Sequence, residues 1–133
     1  MKLVITAFLV IFILTITLIP QNDPLKESIV RGKEIYTDFC ITCHLPSGLG
    51  TENTYPPLVN SDYLRNNREA SIRGIKFGQE GEMTVNDMVY NNVMAPLGLS
   101  DAEVADVMNY ITNSWGNSND KMITTEEVSA IKK

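Results

Sequence analysis

Hydrophobic positions in this 133-residue chain follow three patterns, and each predicts a different kind of element. The first is continuous. Behind Lys2, apolar and hydroxyl side chains run from Leu3 to Ile19 and stop at Pro20. Residues 21–27 then read as a linker, with Asn22, Asp23 and Pro24 as breakers. The second pattern is helical. Ile29, Ile35, Tyr36 and Phe39 predict a helix over about 25–39, and Gly32 inside it suggests a close helix contact. A short helix is expected from Ser61-Asp62, and a longer one from Asn67 to about Phe77, with Gly78 at its end. The clearest helix opens on Ser100-Asp101-Ala102-Glu103, a capping-box pattern. Val104, Val107, Met108, Ile111 and Trp115 follow at i, i+3, i+4, i+7 and i+11, and Gly116 stops it. A last short helix can start at Thr124, with Glu127 completing a second capping box. The third pattern alternates: Thr84-Val85 and Met88-Val89-Tyr90 flank Asn86-Asp87, a small hairpin. Residues 40–57, punctuated by Gly48, Gly50, Pro56 and Pro57, read as a loop, and 91–96 as an extended stretch.

The N-terminal run changes the picture of where the chain works. One cation, an apolar stretch and a polar boundary make residues 1–20 an export signal. No Ala-x-Ala-like cleavage site precedes Pro20, and the run is at the short limit for a membrane span. A cleaved peptide and a retained anchor through residues 3–19 therefore both stand. A lipid-bearing cysteine is absent from this region. The expected location is exported and periplasmic, either soluble or held at the inner membrane by the N-terminus. Residues 28–133 then form one domain. Net charge is −5, and −6 once Lys2 leaves with residues 1–20. An acidic chain is a poor fit to nucleic acid or anionic lipid. Steering by charge would favour a partner with a basic patch, although a charged, solvated surface explains the balance equally well.

The chemistry concentrates in Cys40-Ile41-Thr42-Cys43-His44. These are the only two cysteines and the only histidine in the chain. Two thiols three positions apart can add across the two vinyl groups of one porphyrin, and the adjacent imidazole is then held under the iron. A thioredoxin-like pair needs a CxxC at a helix start within a βαβ pattern, which does not surround Cys40, and it leaves His44 unexplained. Structural zinc needs four ligands, and no second Cys/His pair exists. A disulfide would clip only a very short loop. Export agrees with covalent haem c, and an oxidising compartment means that an assembly system must keep the thiols reduced until haem arrives.

The second face of the iron needs a ligand, or it stays open for chemistry. With one histidine, bis-histidine ligation is impossible, and thioether sulfur is the natural alternative. Met83, Met88, Met94, Met108 and Met122 follow the motif. Met108 lies on the apolar face of the long helix and reads as core, and Met122 lies in the tail. Met83 and Met88 lie on the hairpin and can pack or face out. Met94 lies in the irregular stretch before Pro96, where an extended loop can lay its backbone along a haem face. Position favours Met94.

Four segments resemble the class I cytochrome c family, and more closely its small bacterial members. Gly32-Lys33-Glu34-Ile35-Tyr36 with Cys40-x-x-Cys43-His44 is similar to the family's first helix and haem motif. Tyr55-Pro56-Pro57-Leu58 is similar to its proline turn, and Val85 to Pro96 to its methionine segment. Leu99 to Glu103, running on to Asn109-Tyr110-Ile111 and Ser114-Trp115-Gly116, resembles its last core helix. The resemblance spans about 30–131. It implies an all-α fold, helices wrapped around one covalent haem, with the hairpin before the methionine loop. It implies His44 and Met94 as axial ligands, Gly32 packed against the last core helix near Tyr110, and a carbonyl of Pro56 or Pro57 accepting a hydrogen bond from His44. Ala95 departs from the family, whose subgroup often has proline there.

Electron transfer is the expected function, since two axial ligands leave no site for substrate and no distal histidine is present to act as a base. The expected partners are a dehydrogenase or cytochrome complex on one side and an oxidase or reductase on the other. The rival readings are a haem enzyme or gas-binding module with an open sixth site, and a thiol–disulfide oxidoreductase using Cys40 and Cys43.

Overall fold

The computed structural model describes residues 23–133, so the export or anchor segment 1–20 and residues 21 and 22 of the expected linker lie outside the described residues. Those described form six helices and one two-stranded antiparallel sheet. Helix α1 spans Pro24–Phe39. The linker expectation is corrected from residue 24 onward: Asp23 and Pro24 start a helix. Asp23 Oδ1 accepts from the Leu25 N–H at 3.1 Å, and Pro24 stands in the first turn, where its missing N–H costs nothing. Inside the expected 40–57 loop, Ile41–His44 form a single helical turn, α2.

Helix α3, Asp62–Asn66, is capped by Ser61, and α4, Arg68–Phe77, ends at Gly78 with φ 86. Strands β1, Met83–Val85, and β2, Met88–Tyr90, pair with Met83 opposite Tyr90. Asn86 and Asp87 both have positive φ, 51 and 62, which is the turn geometry whose twist suits a two-residue hairpin.

Helix α5, Asp101–Ile111, carries the complete capping box of Ser100 and Glu103. It stops short of the expected Gly116. The hydroxyls of Thr112 and Ser114 and the Asn113 amide bond back to the carbonyls of Met108, Tyr110 and Asn109, and Asn117 Nδ2 takes the Ile111 carbonyl. Side chains thus satisfy the groups that another turn of helix would have used. Helix α6, Thr125–Ala130, has half of its expected box. Thr124 Oγ1 accepts from the Glu127 N–H, but the Glu127 carboxylate goes to Arg68 at 2.6 and 2.7 Å.

The core forms where α1 crosses α5. Tyr36, Val104, Val107, Met108 and Ile111 are buried there with Ile72 of α4 and with Ile123, Val128 and Ile131 of the C-terminal segment. Each such aliphatic side chain contributes roughly 1.5–3 kcal/mol by leaving water. The buried face of α1 shares Tyr36 with the apolar set read in the sequence, and Ile35 packs against the core, but the residues facing α5 beside Tyr36 are the small Ser28 and Gly32. A Cβ on Gly32 would stand 2.8 Å from Tyr110 Cβ and closer still to the Asp106 carbonyl, so only glycine allows this approach. The same crossing holds a polar cluster. Arg31 grips the Asp106 carboxylate through two bonds of 2.6 and 2.8 Å, and Ser28 donates to it at 2.6 Å. Asn109 links Ser28 to both backbone groups of Ile123.

Candidate functional site

The sequence between α1 and α3 folds so that its chemistry faces one way. Cys40, Cys43 and His44 stand at i, i+3 and i+4, the spacing that places side chains on one side of a helical turn. All three line a cleft of about 260 Å3 that is open to solvent. Between them, Ile41 packs against the core and Thr42 is exposed. Leu45 ends the turn with φ 62, and its carbonyl accepts from the buried Tyr36 hydroxyl at 2.6 Å.

An aromatic cluster braces this turn. Tyr36, Tyr110 and Trp115 have ring centroids 5.2–5.5 Å apart in tilted or edge-on arrangements. Trp115 Nε1 donates to the Pro46 carbonyl at 3.0 Å, and Gly48 lies directly on the Trp115 ring. Sequence reasoning placed Trp115 on the last helix face. Its position beyond the helix, with φ 54, was not foreseen.

His44 is oriented from the following loop. Its Nδ1–H donates to the Pro56 carbonyl at 3.0 Å, which resolves the choice between Pro56 and Pro57; both prolines line the cleft. Gly50 packs against the Pro56 carbonyl, and a Cβ there would stand 2.7 Å from that oxygen. The tautomer with the proton on Nδ1 leaves Nε2 with a free lone pair, able to ligate a metal. Burial holds the His44 pKa below its usual value, with the Pro56 bond opposing. Burial thus favours the neutral imidazole, the form that binds metal. Burial, with the neighbouring Cys43, pushes the Cys40 thiol up to about 11.

The opposite wall comes from α3, α4, the hairpin and the 91–97 stretch. Met94 lines the cleft, as expected, but so does Met83 of β1, which the sequence left undecided; Met88 does not. Met108 is fully buried in the core. Met94 is tied to the residue just past the end of α4: its N–H donates to the Gln79 carbonyl and its carbonyl accepts from the Gln79 N–H, each at 2.8 Å. Its terminal methyl lies 4.0 Å from where a Cβ on Gly74 would stand, an ordinary van der Waals distance. Gln79 also lines the cleft and carried no recognisable signal in the sequence.

A family profile described as Cytochrome c matches residues 29–115. The chain belongs to the cytochrome c family. It is 34% identical over 110 residues to cytochrome c-552 of Thermus thermophilus, an alignment covering 76% of this chain and 83% of that protein. It is also 27% identical over 105 residues to the cytochrome c subunit of a quinone alcohol dehydrogenase from Gluconobacter oxydans, covering 76% of this chain and 22% of that subunit. The fold is that of a class I cytochrome c, and the protein is a mono-haem electron-transfer cytochrome with covalent haem c. The residues present fit that group: two free thiols and one imidazole converge on a single cleft whose walls are largely apolar.

Proposed function

We propose that this cytochrome carries single electrons with its haem joined to Cys40 and Cys43 and its iron held by His44 and Met94. The convergence of these four residues on one cleft is the observation that carries the reading. Bound haem iron supplies a one-electron couple, and a thioether paired with imidazole favours the ferrous state and raises the potential. The chain's own work is to orient and to exclude water. Pro56 fixes the His44 ring and raises its basicity as a ligand. Gln79 holds the Met94 backbone through paired hydrogen bonds at the edge of the cleft. With His44 and Met94 both holding the haem, no site would be left for substrate, and the protein acts as a carrier rather than an enzyme. Thiol–disulfide exchange is disfavoured, because a reactive CxxC needs a lowered thiol pKa and burial raises that of Cys40.

Export, with the N-terminal segment cleaved or retained as an anchor, places the carrier in the periplasm. Its partners are a dehydrogenase or cytochrome complex as donor and an oxidase or reductase as acceptor. The dehydrogenase subunit among the relatives supports a donor of that class. Charge bears on how they dock. Neither 34–64 nor 77–120, which supply most of the cleft lining, contains a lysine or arginine. Glu34, Asp38, Glu52, Glu80, Glu82 and Asp87 are exposed in these two segments, while Val93 and Phe39 present apolar surface at the cleft. A partner with a basic rim around an apolar centre fits that surface.

Acid–acetone extraction tests attachment: denatured protein keeps its colour, and a Cys40→Ala/Cys43→Ala variant loses it. Loss of all haem from the parent protein would refute the covalent assignment. Potentiometric titration should give a one-electron curve.

A further inference from the structure

We propose that Gly78, the residue ending α4, is a positioning residue for Met94, and that its missing side chain lets the methionine stretch seat against the helix end. The inference rests on Met94 being the iron's ligand and deepens that reading. Gly78 has φ 86, which favours glycine at any such turn. Its surroundings add a second and separate demand. A Cβ at Gly78 would stand 2.9 Å from the Met94 carbonyl oxygen, 2.9 Å from Pro96 Cδ and 3.1 Å from the Pro96 nitrogen. Two of these three neighbours are backbone atoms, and the third belongs to a rigid ring. None can swing aside as a flexible side chain would. The next residue, Gln79, makes the paired 2.8 Å backbone bonds to Met94. An added methyl therefore pushes on the very carbonyl that Gln79 holds, and the displacement passes to the Met94 backbone and its sulfur.

The fold supplies its own control. Gly81 has φ 85, nearly the same positive φ, but a Cβ there would meet nothing within 4 Å. Gly78→Ala and Gly81→Ala thus both place a side chain at positive φ and differ in whether the methyl touches the methionine stretch.

The experiment uses the full-length holoprotein. Two signals report the sulfur–iron bond without any redox partner: the weak far-red ferric band, and the affinity for added imidazole, which competes for the sixth position. Gly78→Ala should keep its haem attached, lose most of the band, and bind imidazole about tenfold more tightly. Gly81→Ala should match the parent in both. Pro96→Gly removes the ring that lies on Gly78 without adding bulk. It should shift both signals in the same direction, and it serves if Gly78→Ala yields no holoprotein. The proposal is overturned if Gly78→Ala or Pro96→Gly leaves the band and the imidazole affinity at the parent values. It is overturned equally if Gly81→Ala shifts them as far as Gly78→Ala does. Met94→Ala separates the two levels: if it retains the band, the ligand assignment fails, whatever Gly78 does.

Discussion

Around His44 the backbone is tied at nearly every step. The His44 N–H bonds to the Cys40 carbonyl at 2.9 Å, its own carbonyl accepts from Gly50 at 3.1 Å, and Leu45 N–H returns to Ile41 at 2.9 Å. Behind that turn stand three packed aromatic rings and the α1–α5 crossing. Around Met94 the chain is extended and largely exposed. Among the described residues, the backbone–backbone hydrogen bonds made by 91–99 are the pair between Met94 and Gln79. One side-chain bond, Asn92 to the Thr54 carbonyl at 2.9 Å, reaches across the cleft. Both sides reach the same cleft, yet one is anchored by the hydrophobic core and the other by a helix end. The difference teaches where tuning is cheap. Under the proposed ligation, changes on the Met94 side should alter the iron's surroundings while the helices stay folded, whereas changes on the His44 side should disturb the fold and the cofactor together.

The sharpest break is His44→Ala. No other imidazole exists in the chain, so the variant should yield no stable holoprotein, measured as haem-bearing protein recovered. A normal low-spin protein would contradict the contrast. Next in size, Met94→Ala should leave haem attached and the helical circular dichroism near the parent's. The ferric iron should turn high-spin or take water, the far-red band should vanish, and the potential should fall. Third, Gly32→Ala pushes a methyl against the Asp106 carbonyl and Tyr110, and should cost about 2 kcal/mol in denaturant unfolding while the band survives in folded protein. That result would show that the core side sets stability and not ligation. Met83→Ala should leave the spectrum nearly unchanged, although Met83 lines the cleft. If it abolished the band while Met94→Ala kept it, the two methionines would exchange roles. The smallest effect concerns docking. Electron-transfer rates with a basic partner should fall as salt rises, over a Debye length of about 10 Å at 0.1 M, and a flat response would favour the apolar contact alone.

What the sequence revealed follows from where single residues carry the signal. The CxxCH motif, the Ser100–Glu103 box, the Ser61 cap and the Asn86-Asp87 turn each depend on local chemistry, and all appear where they were read. Errors arose where a partner distant in sequence decides. Ile29, Ile35, Tyr36 and Phe39 gave α1 its apolar pattern; Tyr36 is buried and Ile35 packs against the core, but Phe39 faces the cleft, and α5 packs on Ser28 and Gly32 as well as Tyr36. Small residues govern a close crossing and leave little hydrophobic signal. Trp115 continued a helical spacing, yet Asn113, Ser114 and Asn117 end the helix by taking its carbonyls. Glu127 completed a box in sequence, but Arg68, 59 positions away, holds its carboxylate. The His44 bond to Pro56 rather than Pro57 depends on how the loop folds, with Gly50 packed beneath the Pro56 carbonyl, and no local pattern records it.

Carbon monoxide added to the reduced holoprotein tests the central claim most directly, because it binds ferrous iron only where the sixth position is free or easily freed. With His44 and Met94 both bound, the ferrous spectrum should stay unchanged over minutes, and the ferric form should show the far-red sulfur–iron band. Rapid, stoichiometric carbon monoxide binding, or a high-spin ferric spectrum in the parent protein, would mean an open sixth site and contradict the carrier reading.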